Sequence, residues 1–324
     1  MYKKYQVSVI IPAFNVENYI AEAVYSVLNQ NYDSFEVIII DDGSDDETYN
    51  IICEISKVHS NVKILKQKNK GQGAARNAGI QLSEAQYIVF VDADDILAEG
   101  ALKLLTSKIA DQDVVCAGLD FFKECKSRSA VTRSFNKEFS ILNPDLFEDA
   151  LSLKKFTSSP CAKIYNREFL ITNGIYFPDN KFVGEDMLFS WKVAYYARSC
   201  LFISGICYHA RYRLESTTRA MLIEKNFNSM LYIYQMLAEF LREVDEFDKY
   251  EKLYMASRVK AFMFLISRAA IHIKRRKEIY NFFKTNGYLL NFRINELQPK
   301  YLFVYFLYKV RCLFILKLIK KRLF

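Results

Sequence analysis

Over the first hundred residues, short apolar runs alternate with stretches of helical period. Val7–Ile11, Glu36–Ile40, Val62–Leu65 and Tyr87–Val91 are compact, mainly apolar runs, the pattern of strands covered on both faces. Glu17–Asn29 carries Ile20, Val24, Val27 and Leu28 at helical spacing. A second helix runs through Tyr49, Ile52 and Ile55 with Asp45 or Asp46 as its cap, and Gly71–Leu82 begins a third after a glycine-rich stretch. Strand–helix alternation of this kind predicts a parallel α/β sheet with right-handed crossovers. The pattern loosens over 111–220, where Asp113–Phe122 and Cys200–Tyr208 predict strands and Leu188–Ala197 a helix. From about 221 it turns helical, with long apolar faces over Phe227–Leu241 and Tyr250–Ile273. The expected organisation is an α/β domain over 1–220, with halves 1–110 and 111–220, followed by a helical region over 221–324.

Polar residues concentrate where the predicted strands end. Ala13–Asn15, Asp41–Ser44 and Asp92–Asp95 each follow an apolar run, and open α/β sheets bind ligands beyond the carboxyl ends of their strands. Three loops distant in sequence should therefore meet at one rim. Asp92-Ala93-Asp94 is the sharpest candidate, because two carboxylates spaced i, i+2 on one loop suit a divalent cation that takes further oxygens from a diphosphate. A solvated turn is the plain alternative, and Asp95 could simply begin the next helix. Asp41-Asp42-Gly43-Ser44 offers a carboxylate to a base N–H or a cap to the following helix. In Asn69-Lys70-Gly71-Gln72-Gly73, two glycines allow close backbone approach, and Arg76 brings a guanidinium suited to phosphate or a base edge. The spacing fits neither a dinucleotide-binding glycine motif nor a Walker A loop.

Further along, Gly184-Glu185-Asp186 precedes a helix that contains Trp191. These acids suit a first helical turn or the removal of a proton from an attacking hydroxyl. His209-Ala210-Arg211 ends a predicted strand, and the arginine suits a diphosphate. The seven cysteines are scattered, and the three histidines lie far apart. This composition points to a reducing compartment and gives no support for a zinc site.

Four segments, VSVIIPAFN (Val7–Asn15), VIIIDDGSDD (Val37–Asp46), NKGQGAARNAG (Asn69–Gly79) and VDADD (Val91–Asp95), occur in an order and spacing that resemble the family-2 glycosyltransferases. The resemblance covers about the first hundred residues. It implies a GT-A fold, a Rossmann-like nucleotide-diphospho-sugar transferase architecture, here with a helical C-terminal region. It also implies a nucleotide-sugar donor, usually a UDP-sugar, a Mn²⁺ or Mg²⁺ cofactor, and inversion at the anomeric carbon. By carry-over, Pro12 and Phe14 line the base pocket, Asp42 or Asp41 meets uracil, and Asn69 and Arg76 support the nucleotide. Asp92 sits near ribose or metal, and Asp94 is the principal protein ligand of the metal. Asp186 takes the position of the catalytic base, and Glu185 and Trp191 that of acceptor contacts. Arg211 and Ser216 match a segment that closes over the diphosphate, and His209 becomes a metal or acceptor contact.

Charge adds one further expectation. Residues 271–324 hold 13 basic and 2 acidic residues, against 32 and 35 in the rest of the chain. The stretch 301–324 reads as a basic amphipathic helix for a membrane surface, or alternatively for a partner. Its six basic residues from Lys309 onward argue against a bilayer span, and no recognition motif supports nucleic acid as a partner. With no export signal apparent at the N-terminus, the expected location is cytoplasmic, peripheral on the inner face of the plasma membrane. The expected acceptor is a glycan or lipid-linked glycan of the cell surface. Two rivals make different predictions. A nucleotidyltransferase would need a basic glycine loop near the N-terminus, and a non-catalytic membrane-bound subunit of a glycan-assembly complex would lack the acids that Asp92, Asp94 and Asp186 supply.

Overall fold

The structure is a computed structural model that describes residues 5–122, 128–178, 183–212, 223–270 and 281. The first hundred residues fold as the apolar pattern predicts. Strands β1 (Val7–Ala13), β2 (Phe35–Asp41), β3 (Val62–Lys66) and β4 (Tyr87–Phe90) alternate with helices α1 (Ile20–Leu28), α2 (Thr48–Val58) and α3 (Gln72–Leu82). The four strands are parallel in the order β3-β2-β1-β4. β1 and β2 are buried at every position, as expected where helices cover both faces of a sheet. Helix α3 packs so closely that a Cβ on Gly79 would meet Ile10 Cγ2 at 2.3 Å, so glycine is required there.

Beyond β4 the sheet becomes mixed. A two-residue strand, β5 (Ile96–Leu97), follows the Asp92–Asp95 turn, and helix α4 (Ala101–Thr106) starts only afterwards, so Asp95 does not begin a helix. Next come β6 (Val114–Phe122), β7 (Arg128–Arg133), β8 (Phe139–Leu142), α5 (Asp145–Leu151), β9 (Lys163–Asn166) and α6 (Arg167–Thr172). Helix α7 (Glu185–Tyr196) and strand β10 (Ser199–Arg211) complete this part. The main path runs β3-β2-β1-β4-β9-β6-β10-β5, with β7 on β6 and β8 on β10. β9 is antiparallel to both β4 and β6, which turns β6 and β10 parallel to the first four strands. The carboxyl ends of β1, β2, β4, β6 and β10 therefore share one rim, and the amino end of β9 joins them.

The chain divides into two compact units. The first, made of residues 1–150, 154–181 and 185–216, holds the sheet. The second contains α8 (Ile223–Glu243) and α9 (Phe247–Ala270). These form an antiparallel hairpin whose turn includes Asp245 at φ 57. Tyr234 and Ser257 share a buried hydroxyl contact of 2.7 Å, and Phe227 stacks on Phe262. Among the described residues, no helix is long and apolar enough to cross a membrane. The expected surface helix over 301–324 lies outside the described residues.

Candidate active site

The loops after β1 and β2 are stitched together by side chains from each other's segments. Ser44 Oγ accepts the Asn15 N–H at 3.1 Å, Asn15 Oδ1 accepts the Asp45 N–H at 2.9 Å, and Thr48 Oγ1 accepts the Val16 N–H at 2.8 Å. Asp46 accepts the Thr48 N–H at 3.0 Å, so of the two expected cap residues it is Asp46 that serves the start of α2. Asp42 is used up internally, because its carboxylate accepts from Gln67 Nε2 at 2.7 Å and from the Lys70 and Gly71 N–H groups at 2.8 Å each. It anchors the glycine loop. Gly43 sits at φ 78, and a Cβ there would meet Asn69 N at 3.0 Å, which fixes how closely the two loops approach. Asp41 is fully buried too, yet its Oδ2 has no hydrogen-bond partner and only Lys66 Nζ at 3.9 Å. Neither acid caps α2. Pro12 is buried, whereas Phe14 stands 43% exposed beside them.

The second acidic group centres on Arg76. Its guanidinium is completely buried, with NH1 at 2.6 Å from Asp186 Oδ1 and 3.8 Å from Glu185 Oε1, and NH2 at 2.7 Å from Asp92 Oδ1. It also lies 5.1 Å from the Phe177 ring. The Asp92 loop and the start of α7 therefore meet on one cation. Arg76, expected to support the nucleotide, has no exposed surface here and is held by three acids, which it orients. Gly73 likewise opens room for protein, since a Cβ there would meet Pro178 O at 2.9 Å. Asp92 and Asp186 keep 28% and 30% of their side-chain surface open. Burial, reinforced by the charges of Glu185 and Asp92, pushes the Asp186 carboxyl up to about 7 despite the pull of Arg76.

Behind the Asp92–Asp95 turn stands Tyr208, which sequence reasoning missed. Its hydroxyl donates to Asp95 Oδ2 at 2.7 Å and accepts the Asp92 N–H at 3.0 Å. Burial, with Asp92 and Asp94 close by, raises Asp95 well above the usual carboxylate range. Arg211 closes the turn from the other side, donating its backbone N–H to Asp95 Oδ1 at 2.7 Å and Nε to the Asp94 carbonyl at 2.8 Å. Its NH2 pairs with Glu22 of α1. His209 Nδ1 lies 2.5 Å from Asp120 Oδ1, a carboxylate–imidazole pair at the adjoining ends of β10 and β6. Asp120 is a second residue that no sequence pattern marked.

Trp191, expected as an acceptor contact, is buried. It follows Asp186 by five residues, about 140° around the helix; it is 1% exposed and donates its indole N–H to the Ala150 carbonyl at 3.3 Å. Ser216 lies outside the described residues. Among the described residues, no group of three or more His, Cys, Asp or Glu side chains could hold a metal. Asp92 and Asp94 nonetheless suit a hard cation that draws its remaining oxygens from a phosphate.

An α/β sheet of this topology, with an acidic turn after β4 facing an acidic helix start, is the GT-A arrangement of a sugar-transferring enzyme. The family model for glycosyl transferase family 2 matches residues 8–174, and the chain belongs to that family. EpsH of Bacillus subtilis (strain 168), which carries a glycosyltransferase assignment, is 28% identical over 251 residues, covering 76% of this chain and 72% of EpsH. The poly(ribitol-phosphate) beta-N-acetylglucosaminyltransferase TarS of Staphylococcus aureus (strain Mu50) is 30% identical over 210 residues, 62% of this chain and 35% of TarS. The chain thus spans most of one relative and about a third of the other. The crystal structure of TarS 1–349 in complex with UDP-GlcNAc superposes with a TM-score of 0.60 at 22% identity, covering 98% of this chain and 92% of that one. The fold is that of a GT-A glycosyltransferase.

Proposed function

We propose that this glycosyltransferase moves a hexosyl or N-acetylhexosaminyl group from a UDP-sugar to a hydroxyl of a cell-surface or lipid-linked glycan, inverting the anomeric centre. The observation that carries the reading is the Arg76 bridge, which brings the Asp92 turn and Asp186 to one half-open site. Asp186 is the base. As the acceptor oxygen bonds to the anomeric carbon, Asp186 takes its proton and the bond from that carbon to the diphosphate breaks, releasing UDP. One displacement gives one inversion. A carboxyl near 7 is suited to this work, since a base titrating near the working pH combines availability with driving force.

On the donor side, Asp41 rather than Asp42 is the acceptor for a base N–H, because it alone of the two keeps a buried oxygen without a hydrogen-bond partner. Phe14, exposed next to it, offers a face for the base. Asp94 and Asp92 hold Mn²⁺ or Mg²⁺, with His209 as a further candidate ligand; an Nδ1 held by a carboxylate is the usual support of a metal-binding imidazole. Such a cation would neutralise charge on the leaving diphosphate. Arg211 and Ser216 serve the same group in this reading. TarS, named for N-acetylglucosaminyl transfer and crystallised with UDP-GlcNAc, supports the donor class. The basic segment 301–324 supports a place on the inner face of the plasma membrane.

A screen of nucleotide sugars with Mn²⁺, reading released UDP, tests the proposal together with Asp186→Asn. The variant should keep UDP affinity and lose about 10²–10⁴-fold in transfer. In the wild type, kcat/KM should rise with pH and level off once Asp186 is deprotonated, at or below about 7, because a bound cation can only lower that value. Retained turnover in the variant removes Asp186 from the role of base.

A further inference from the structure

A notch opens in the sheet close to the proposed base, and its lining is cationic. Along one edge of β6 the partner changes. β9 pairs with Val114–Cys116, and β7 takes over at Leu119. Where β9 begins and β7 ends, a cavity of about 280 Å³ remains, lined by Arg133, Lys154, Lys155 and Lys163, with Leu119 and Phe135 among its apolar walls. That is close to the lower end of the roughly 300–1,000 Å³ typical of small-molecule sites. Among the described residues, none of the four cations pairs with a carboxylate. Lys163 is the most telling, because it is 2% exposed and donates only to the oxygens of Thr157 and Ser159. Burial pulls its ammonium below the ordinary lysine range. Its ammonium hydrogen-bonds neutral oxygens and no carboxylate, and an anion in the notch would add the close counter-charge that a buried cation favours.

The notch belongs to the reaction site by position. Lys163 and Asp186 are close enough for their charges to interact. Ser190 of α7 donates to the Ser158 carbonyl at 2.7 Å, tying the helix whose first turn carries Asp186 to the loop before β9. Cys161, also in the lining, lies near Tyr208 behind the Asp92 turn. The donor diphosphate has its own place at the end of β4, on the acidic turn. A cationic cavity separate from the acidic turn therefore suits the other substrate.

We propose that this notch binds a phosphate group carried by the acceptor, so that the hydroxyl glycosylated belongs to a phosphate-bearing sugar or polyol. The inference rests on the transferase reading above and narrows its acceptor class. Lysine and arginine side chains around a concave, partly apolar wall give a phosphate charge-assisted hydrogen bonds and a focused field. The cavity is sized for one phosphorylated unit, not for a length of nucleic acid.

The test is a ligand-observed NMR titration of the full chain with glycerol 3-phosphate and, separately, with glycerol, both with UDP and Mg²⁺ at saturation. The phosphate ester should bind and glycerol should bind at least about tenfold more weakly. Lys154→Gln/Lys155→Gln should weaken the ester by about tenfold or more, and Arg133→Gln should weaken it independently. All three residues are exposed and lie outside the proposed donor and base sites, so UDP affinity should not change. Equal binding of the two probes, or unaltered ester binding in both variants, would each overturn the inference. If UDP itself fails to bind, the donor-site reading falls; if UDP binds while the ester does not, only the acceptor inference falls.

Discussion

The two acidic loops of the rim look alike in sequence and are put to different uses. Asp41-Asp42 follows β2 and Asp92-Ala93-Asp94-Asp95 follows β4, each a cluster of carboxylates at the end of a buried strand. Asp42 is 3% exposed and saturated by three donors from the loop it anchors. Asp92 keeps 28% of its side chain open and shares the buried Arg76 with Asp186. One loop is closed and structural, apart from Asp41 Oδ2, which has no hydrogen-bond partner and only Lys66 Nζ at 3.9 Å, while the other is half-open and faces a second acid. Strand-end position therefore tells where acids gather. The number of donors each acid already satisfies tells which remain available to a ligand.

The contrast can be broken at its strongest point first. Arg76→Met leaves Asp92, Glu185 and Asp186 facing one another without their cation, and removing one partner of a buried ionic cluster costs about 3–5 kcal/mol. The urea midpoint should fall accordingly, and an unchanged midpoint would mean that the bridge stabilises nothing. Asp42→Ala should come next. It strips the part-buried Lys70 and Gly71 N–H groups of their acceptor at a cost of about 1–3 kcal/mol. UDP affinity measured where the variant is still folded should remain within a few-fold, because Asp41 and Phe14 are intact; an affinity collapse larger than the stability loss would make Asp42 a ligand. Tyr208→Phe should have the smallest effect, about 1–2 kcal/mol from two lost hydrogen bonds. It should also weaken metal-dependent UDP binding in preference to metal-free binding. A thermal melt and a UDP titration with and without Mn²⁺ would show both.

Much of the first hundred residues was legible because its strands are mainly apolar runs that alternate with stretches of helical period. The predicted run Val62–Leu65 and the observed β3, Val62–Lys66, differ by one residue. The short elements β5 and β7–β9 were not legible: β5 is only two residues long, and β7–β9 mix polar and apolar positions and do not alternate with helices as β1–β4 do. Their absence from the reading hid the antiparallel insertion of β9, and with it Lys163 and the cationic notch. The acids at the rim were found from topology. The burial of Arg76 was not, although its setting hinted at it: Gly73, Ala74, Ala75, Ala78 and Gly79 around it make a helix too small-sided to keep a long side chain clear of its neighbours. Asp120 and Tyr208 carried no signal, because a strand's alternation does not report which of its polar ends will find a partner. Trp191 was placed by proximity to Asp186 in sequence, and helical rotation carried it into the core.

The account depends on Asp92 and Asp186 acting from one site through one guanidinium. A double-mutant cycle on folding stability, with Asp92→Asn, Asp186→Asn and the pair, measures that link without requiring a substrate. Because both acids share Arg76, the two substitutions should be non-additive, with a coupling of about 0.5–3 kcal/mol. Effects that add to within about 0.3–0.5 kcal/mol, as for residues with no shared partner, would contradict it.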